Sequence, residues 1–275
     1  MAMSRWIVDA PQRLDFDRVT ELRVHLAAGT VAVLASDDAP SAVITELTGR
    51  RLQVSMDMQR HILTIGYEPQ SWEGLLGLIK PWRDHVAVTV TVPAECRSRV
   101  AVHSASAVVS GLLSGATVKS MSGDIALDGV AGEVNAETMS GEIAARDVNG
   151  TIRVKSLSGG LTLAGGLLSG LTANTMSGPV TADVALAEGG SAHVSTMSGE
   201  VTLRLPADTD ARVHLRSTSG AVRTEFDSLR AVKAPASHTV SGNVGAGTGH
   251  VSVTTMSGAV TLLRHAPVGM ESKTR

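Results

Sequence analysis

A short phrase that recurs at a nearly fixed spacing is the feature that most constrains this chain. Its core is a Ser-Gly pair, usually preceded by Thr-Met or Ser-Met, and eight copies lie in the second two-thirds of the 275 residues. Successive serines of the phrase stand 18, 18, 19, 21, 21, 22 and 16 residues apart. Self-similarity at such a period indicates a repeat architecture, in which each unit packs on its neighbours.

The phrase contains a finer, nine-residue pattern of apolar positions. Two columns of this pattern read Met121, Val130, Met139, Val148, Leu157 and Ile125, Val134, Ile143, Ile152, Leu161. A helix turns by about 900° over nine residues, which places successive units on opposite faces. A strand keeps one face if a turn absorbs the odd residue. The pattern therefore predicts short strands joined by corners.

Glycine marks the predicted corners, at Gly123, Gly132, Gly141, Gly150 and Gly159. Glycine suits a corner because it adopts the positive φ that many turns need. Strands of about four or five residues, stacked coil on coil about 4.8 Å apart, form an all-β parallel β-solenoid, or β-helix. We expect Val, Ile, Leu and Met to point inward, and Ser, Thr, Asp and Glu to point outward. An aromatic content of only 2% fits a narrow aliphatic interior.

The pattern divides the chain into four parts. Residues 1–17 form a lead, residues 18–97 a small N-terminal β cap, residues 98–263 the solenoid of repeats, and residues 264–275 a flexible tail. A cap is expected because an open solenoid end exposes unpaired strand edges that can pair with another chain.

A short apolar insert, residues 66–84, interrupts the predicted cap. Its apolar residues follow the i, i+3, i+4, i+7 spacing of a short amphipathic helix. Two roles stay open for it: a lid packed over the first coil, or a docking site for a partner or a membrane interface. The candidate partner-binding residues are Trp72, Leu75, Leu76, Ile79 and Trp82.

The serines of the phrase are interpreted as turn formers and not as nucleophiles. None lies in a Gly-x-Ser-x-Gly elbow, and the chain contains no Ser-x-x-Lys. Hydroxyls at equivalent corners ordinarily bond to neighbouring backbone groups. The predicted structural turn residues are Ser122, Gly123, Ser140, Gly141, Ser158, Gly159, Ser177, Gly178, Ser198, Gly199, Ser257 and Gly258.

Charge and ligand-type residues narrow the function classes. A net charge of −2 is not the basic signature of a nucleic-acid-binding protein, and the single Cys96 excludes an intramolecular disulfide framework. Acids follow several corners, at Asp124, Glu133, Glu142 and Glu200, but they do not recur as in calcium-binding β-rolls. We predict no catalytic residue, metal, cofactor, nucleic acid or small-molecule substrate, with a calcium site between neighbouring acids as an alternative.

Several longer phrases, taken in order, carry a family resemblance. They are Val31-Ala32-Val33, Val88–Pro93, Val201–Ala207 and Gly247–Gly258. Over roughly residues 18–263 the chain resembles the bacterial "putative adhesin" family of β-strand-repeat proteins, a domain of uncharacterised function. The resemblance implies a β-solenoid, no known catalytic activity and binding at a surface.

Together these observations predict a non-enzymatic, adhesin-like structural or interaction module. It would present a rigid Ser/Thr-rich surface to an unidentified protein or envelope partner, with membrane-surface association left open. The first residues contain no apolar run typical of a signal sequence, and no stretch reaches 18 apolar residues, so a cytoplasmic location is expected. Two alternatives remain: a self-assembling solenoid scaffold that forms filaments, and a β-helix enzyme that acts on glycans.

Overall fold

Strands and turns make up the whole of the described structure. The computed structural model describes residues 3–67, 85–234 and 237–265. Within them no helix is long and apolar enough to cross a membrane. The chain forms two compact units, Met1–Gly141 and Glu142–Arg275. The all-β class predicted from the repeat is confirmed, and the pairing of the strands is that of a β-solenoid-like fold.

The strands of the first unit run from β1 to β11. They are β1 (Met3–Val8), β2 (Gln12–Asp15), β3 (Glu21–Ala35), β4 (Ser41–Thr48), β5 (Leu52–Asp57), β6 (Ile62–Tyr67), β7 (His85–Val92), β8 (Arg97–Ser110), β9 (Ala116–Ser120), β10 (Ile125–Asp128) and β11 (Ala131–Thr138).

Two ladders of strands build this first unit. One begins with β1, β5 and β6 in antiparallel pairing and continues in parallel through β3, β8, β9 and β11. The other begins with antiparallel β2, β4 and β7 and continues in parallel through the second halves of β3 and β8 to β10. Parallel pairing therefore already begins at β3, well before residue 98.

The strands of the second unit run from β12 to β22. They are β12 (Ile143–Arg146), β13 (Asn149–Ser156), β14 (Leu161–Thr175), β15 (Val180–Thr196), β16 (Val201–Pro206), β17 (Ala211–Ser217), β18 (Val222–Thr224), β19 (Arg230–Ala234), β20 (Ser237–Val244), β21 (Gly249–Thr255) and β22 (Val260–His265).

The second unit also contains two ladders, which share the long strands β14 and β15. The first ladder has the order β13, β14, β15, β21, β17, β20, β19, and only its last two pairings are antiparallel. The second has the order β12, β14, β15, β16, β22, β18 and is parallel throughout. The final repeat, β21 and β22, thus lies between two earlier ones. Ser241-Gly242 falls inside antiparallel β20 and forms no corner, although the sequence pattern includes it.

One of the two apolar columns points inward throughout, and the other does so only at some of its positions. In the second column, Ile125, Val134, Ile143, Ile152 and Leu161 are all buried, as expected. In the first column, Val130 and Val148 are buried, but the corner residues face solvent. The exposed fractions are 44% for Met121, 49% for Met139, 44% for Leu157 and 47% for Met176. The prediction that the methionines of the repeated phrase point inward is therefore wrong.

A buried hydroxyl explains why the methionines turn outward. The Ser or Thr before each corner methionine takes the inward position. At Met121, Met139, Met197 and Met256 its hydroxyl accepts a hydrogen bond from the glycine N–H three residues later, and before Met176 the Thr175 hydroxyl donates to Gly178 O at 3.3 Å. Thr196 Oγ1 accepts from Gly199 N at 3.0 Å, and Ser120 Oγ accepts from Gly123 N at 2.8 Å. Because the hydroxyl satisfies this buried N–H, it is stabilised inside the core, and the next side chain must point to solvent.

Glycine is required at these corners for a reason that differs from the predicted one. The positive φ expected at Gly123 and Gly141 is absent, whereas Gly132 and Gly150 have φ values of 96° and 107°. At the Ser-Gly corners, a Cβ would instead overlap a backbone carbonyl of the adjoining coil. Such overlaps pair Gly178 with Gly159 O, Gly199 with Gly178 O, Gly258 with Gly199 O and Gly220 with Gly258 O. Stacked glycines thus allow neighbouring coils to approach.

Gly199→Ala should destabilise the fold because its Cβ would overlap the carbonyl oxygen of Gly178. We expect a loss of about 3 kcal/mol in the free energy of unfolding, as for an overpacked core position. The matched control is Gly160→Ala, whose Cβ would lie 3.5 Å from Pro179 Cγ in ordinary contact. That change should cost less than about 1 kcal/mol. Urea denaturation checks both values, and equal midpoints for the two variants would contradict the steric argument.

Candidate interaction surface

The predicted turn residues hold neighbouring coils together. All six Ser-Gly pairs lie between strands. The hydroxyls of five of these serines donate to carbonyls of the adjoining coil: Ser122, Ser140, Ser177, Ser198 and Ser257. Ser198 Oγ donates to Met176 O at 3.3 Å, and Ser257 Oγ donates to Met197 O at 3.4 Å. Each of these hydroxyls is engaged by the backbone, which fits the predicted turn-forming role.

The predicted partner-binding residues cannot be placed. Trp72, Leu75, Leu76, Ile79 and Trp82, with the amphipathic helix predicted around them, lie outside the described residues. Their assignment stays a prediction. The surface described below was not predicted from the sequence.

A polar surface covers the first ladder of the second unit. Along β15, β21 and β17 alternate residues such as Val194, Val253 and Leu215 are buried, so the residues between them point outward. The register of the ladder places these outward residues side by side. We call this surface the cationic face, formed by Ser191, His193, Ser195, His250, Ser252, Thr254, Arg212, His214 and Arg216.

The strand segments that form this face carry positive charge and no acidic residue. The segments 149–156, 168–175, 191–196, 211–217, 230–234, 237–244 and 249–255, which build the ladder, contain no Asp or Glu. Asp210, just before β17, accepts hydrogen bonds from Gly247 N and Thr248 N. Among the residues that the structure describes, Arg212 and Arg216 form no ion pair. Both guanidinium groups therefore remain available to an external anion.

Histidine rings add to the face beside the arginines. The rings of His193 and His250 stack with centroids 6.4 Å apart, and His250 lies opposite Arg212 in the register. His214 lies between Arg212 and Arg216 on the outward side of β17. The face thus combines cations, imidazoles and hydroxyls on three hydrogen-bonded strands.

A row of exposed apolar side chains borders the cationic face. We call it the methionine edge, formed by Leu157, Met176, Met197 and Met256, which directly follow β13, β14, β15 and β21. Hydrogen bonds from Ser198 N to Met176 O and from Ser257 N to Met197 O, both 3.0 Å, bring the corners side by side. Met197 and Met256 are 50% and 57% exposed. Thr218 takes the equivalent position after β17, so packing does not require methionine there.

Two corner methionines of the first unit line a shallow groove. Met121 and Met139, together with Leu26, Val102 and Tyr67, surround a volume of about 450 Å³. The Arg50 guanidinium lies 4.2 Å from the centre of the Tyr67 ring. Exposed methionine is therefore a property of the corner in both units.

A larger cleft, of about 710 Å³, lies in the second unit. Its wall includes Asp183, whose carboxylate lies 3.3 Å from Arg204 Nη2 and 3.6 Å from His265 Nε2. The opposite charges of Asp183 and Arg204 compensate one another. In the three described ranges, no group of three or more His, Cys, Asp or Glu residues is arranged to hold a metal ion.

Cys96 lies inside the first unit and is only 1% exposed. Burial, and next the negative charge of Glu21, raises the pKa of its thiol to about 12. Glu21 is charged because a hydrogen bond from Arg23, together with the charges of Arg23 and Arg99, lowers the pKa of its carboxyl. The thiol is therefore held in its protonated, unreactive form.

We expect native Cys96 to resist thiol reagents at pH 8. With a pKa of about 12 against an ordinary value of 9.0, the thiolate fraction falls about a thousandfold. Alkylation followed by mass spectrometry should show slow labelling in buffer and fast labelling in urea. Cys96→Ser is the blank. Native labelling as fast as that in urea would contradict the described burial.

The family model described as Toastrack DUF4097 matches residues 19–263. The chain belongs to the Toastrack family. The resemblance inferred from the repeated phrases is thereby confirmed.

Solved structures similar to this Toastrack chain share little sequence with it. They include a "putative adhesin" from Parabacteroides distasonis (10% identity, 96% of this chain, 97% of that chain, TM-score 0.41) and one from Bacteroides fragilis (10%, 96%, 97%, TM-score 0.35). A "putative cell adhesion protein" from Clostridium sporogenes covers 93% of this chain and 100% of its own at 10% identity, with a TM-score of 0.22. Comparison with curated proteins gives no match.

Proposed function

We propose that this Toastrack chain is a non-enzymatic interaction module that binds a protein or envelope partner through the cationic face. One observation carries the proposal: the hydrogen-bonded segments 191–196, 211–217 and 249–255 present hydroxyls, imidazoles and unpaired guanidinium groups and contain no Asp or Glu. Buried Val194, Val253 and Leu215 anchor these strands from below. A surface fixed in this way loses little conformational entropy on binding.

Features of two end strands, β2 and β19, support an interaction module over a self-assembling filament. β2 has only four residues and carries an Arg13–Asp15 ion pair of 2.7 Å, and β19 begins with Arg230. Short, charged terminal strands discourage pairing with another chain. We propose that the antiparallel strands at the start of the first unit act as the predicted cap, and that the protein works in the cytoplasm.

A photo-cross-linker at Ser195 tests the proposed face. The variant Ser195→Cys places a benzophenone label on the cationic face. The control, Thr181→Cys, places the label on the part of β15 that belongs to the second ladder. Both positions are exposed. Buried Cys96 leaves the introduced thiol as the reactive one. After illumination in extracts of the native cell, we expect a protein or lipid adduct from position 195 that is absent from position 181.

Equal adducts from positions 195 and 181, or none from position 195, would overturn the proposed use of the face. Adducts between two copies of this chain as the main product would favour the filament alternative. Mass spectrometry of the adduct distinguishes a protein partner from a lipid.

A further inference from the structure

We propose that the partner of the cationic face is the surface of an anionic phospholipid membrane, with the methionine edge entering the headgroup layer. The inference rests on the proposed function, since it names the partner of the same surface. It depends on the combination of two features: unpaired positive charge on the outward side of a strand ladder, and an apolar row along one side of it.

The charges are spaced for a surface and not for a single small anion. Arg212 and Arg216 stand four residues apart on β17, which is about 13 Å along a strand. Beside these two charges, the neighbouring strand β21 contributes the imidazole of His250 as a hydrogen-bonding group, and the next strand, β15, contributes that of His193. Guanidinium groups pair well with phosphate oxygens. Several headgroups can therefore contact the face at the same time.

The apolar row favours a membrane over a soluble polyanion. Met197 follows Ser195 by two residues, and Met256 follows Thr254 by two, so the row begins where the cationic face ends. Thioether side chains are flexible and apolar, and apolar residues beside cations suit the boundary between headgroups and acyl chains. An acidic polysaccharide or a nucleic-acid backbone offers no apolar layer for this row.

The arginines are expected to supply most of the selectivity for anionic lipid. Each Arg near an anionic surface increases partitioning about fivefold at physiological salt. Losing both Arg212 and Arg216 should therefore weaken binding about thirtyfold. Salt screens this attraction, whereas contact of the methionine edge with lipid is less sensitive to salt.

Cosedimentation of the full chain with vesicles tests the inference. We expect binding to phosphatidylcholine vesicles that contain phosphatidylglycerol, weak binding to phosphatidylcholine alone, and a sharp decrease between about 0.05 M and 0.5 M salt. Arg212→Gln/Arg216→Gln should lose about thirtyfold. The matched control is Arg146→Gln/Arg223→Gln, two exposed arginines on strands of the second ladder, which should bind as the unmodified chain does.

The methionine edge is tested separately with Met197→Thr/Met256→Thr, which copies the natural Thr218. This variant should keep its dependence on anionic lipid but lose the binding that persists at high salt. Equal binding by both arginine variants, or no difference between the two kinds of vesicle, would overturn the inference. A protein adduct from position 195 together with no vesicle binding would overturn it while leaving the proposed function intact.

Discussion

Contact between glycine backbones of neighbouring coils is the constraint on which the rest of this structure depends. A side chain at Gly178, Gly199 or Gly258 would overlap the carbonyl oxygen of the adjoining corner. Strands on either side can pair in register only if the corners approach this closely. The buried hydroxyl three residues earlier satisfies the glycine N–H, as at Thr255 and Gly258, where the distance is 3.0 Å. Steric fit and hydrogen bonding therefore act on the same four residues.

The same corner determines what the protein shows to solvent. Because the hydroxyl residue takes the inward position, the following methionine points outward, and the serine after it bonds to the next coil. Because these corners stack on one another, the outward residues that precede the Ser-Gly pairs line up and form the methionine edge. Alternation along the preceding strands turns Arg212, His214 and Arg216 into part of one face. The proposed interaction surface is thus a consequence of the repeat and needs no separate structural element.

Sequence reasoning succeeded where a residue's environment depends on its own strand. Ile125, Val134 and Ile152 alternate with polar neighbours, and this period of two correctly places them in the core. It failed for Met121 and Met139 because the nine-residue apolar column contains two kinds of corner that the sequence pattern does not distinguish. At one kind, Val130 and Val148 are buried; at the other, a hydroxyl replaces the apolar residue in the core.

The cationic face could not be predicted from the sequence for a different reason. The strands that form it are neighbours in space but not in sequence, since β21 lies between β15 and β17. If the repeats were stacked in chain order, His250 would lie at the far end of the ladder, away from His193. The alternation in Ala211–Ser217 was visible, but the absence of acids across the whole ladder became informative only once the order of the strands was established.

Peroxide footprinting of the methionines tests the geometry of the corner most directly. Thioether oxidation follows solvent exposure, and Met56, only 3% exposed, provides an internal reference. We expect Met121, Met139, Met176, Met197 and Met256 to oxidise in the native protein at rates near those of the unfolded chain. Met56 should react at least about tenfold more slowly. Corner methionines as protected as Met56 would contradict the inward hydroxyl and outward methionine on which the account depends.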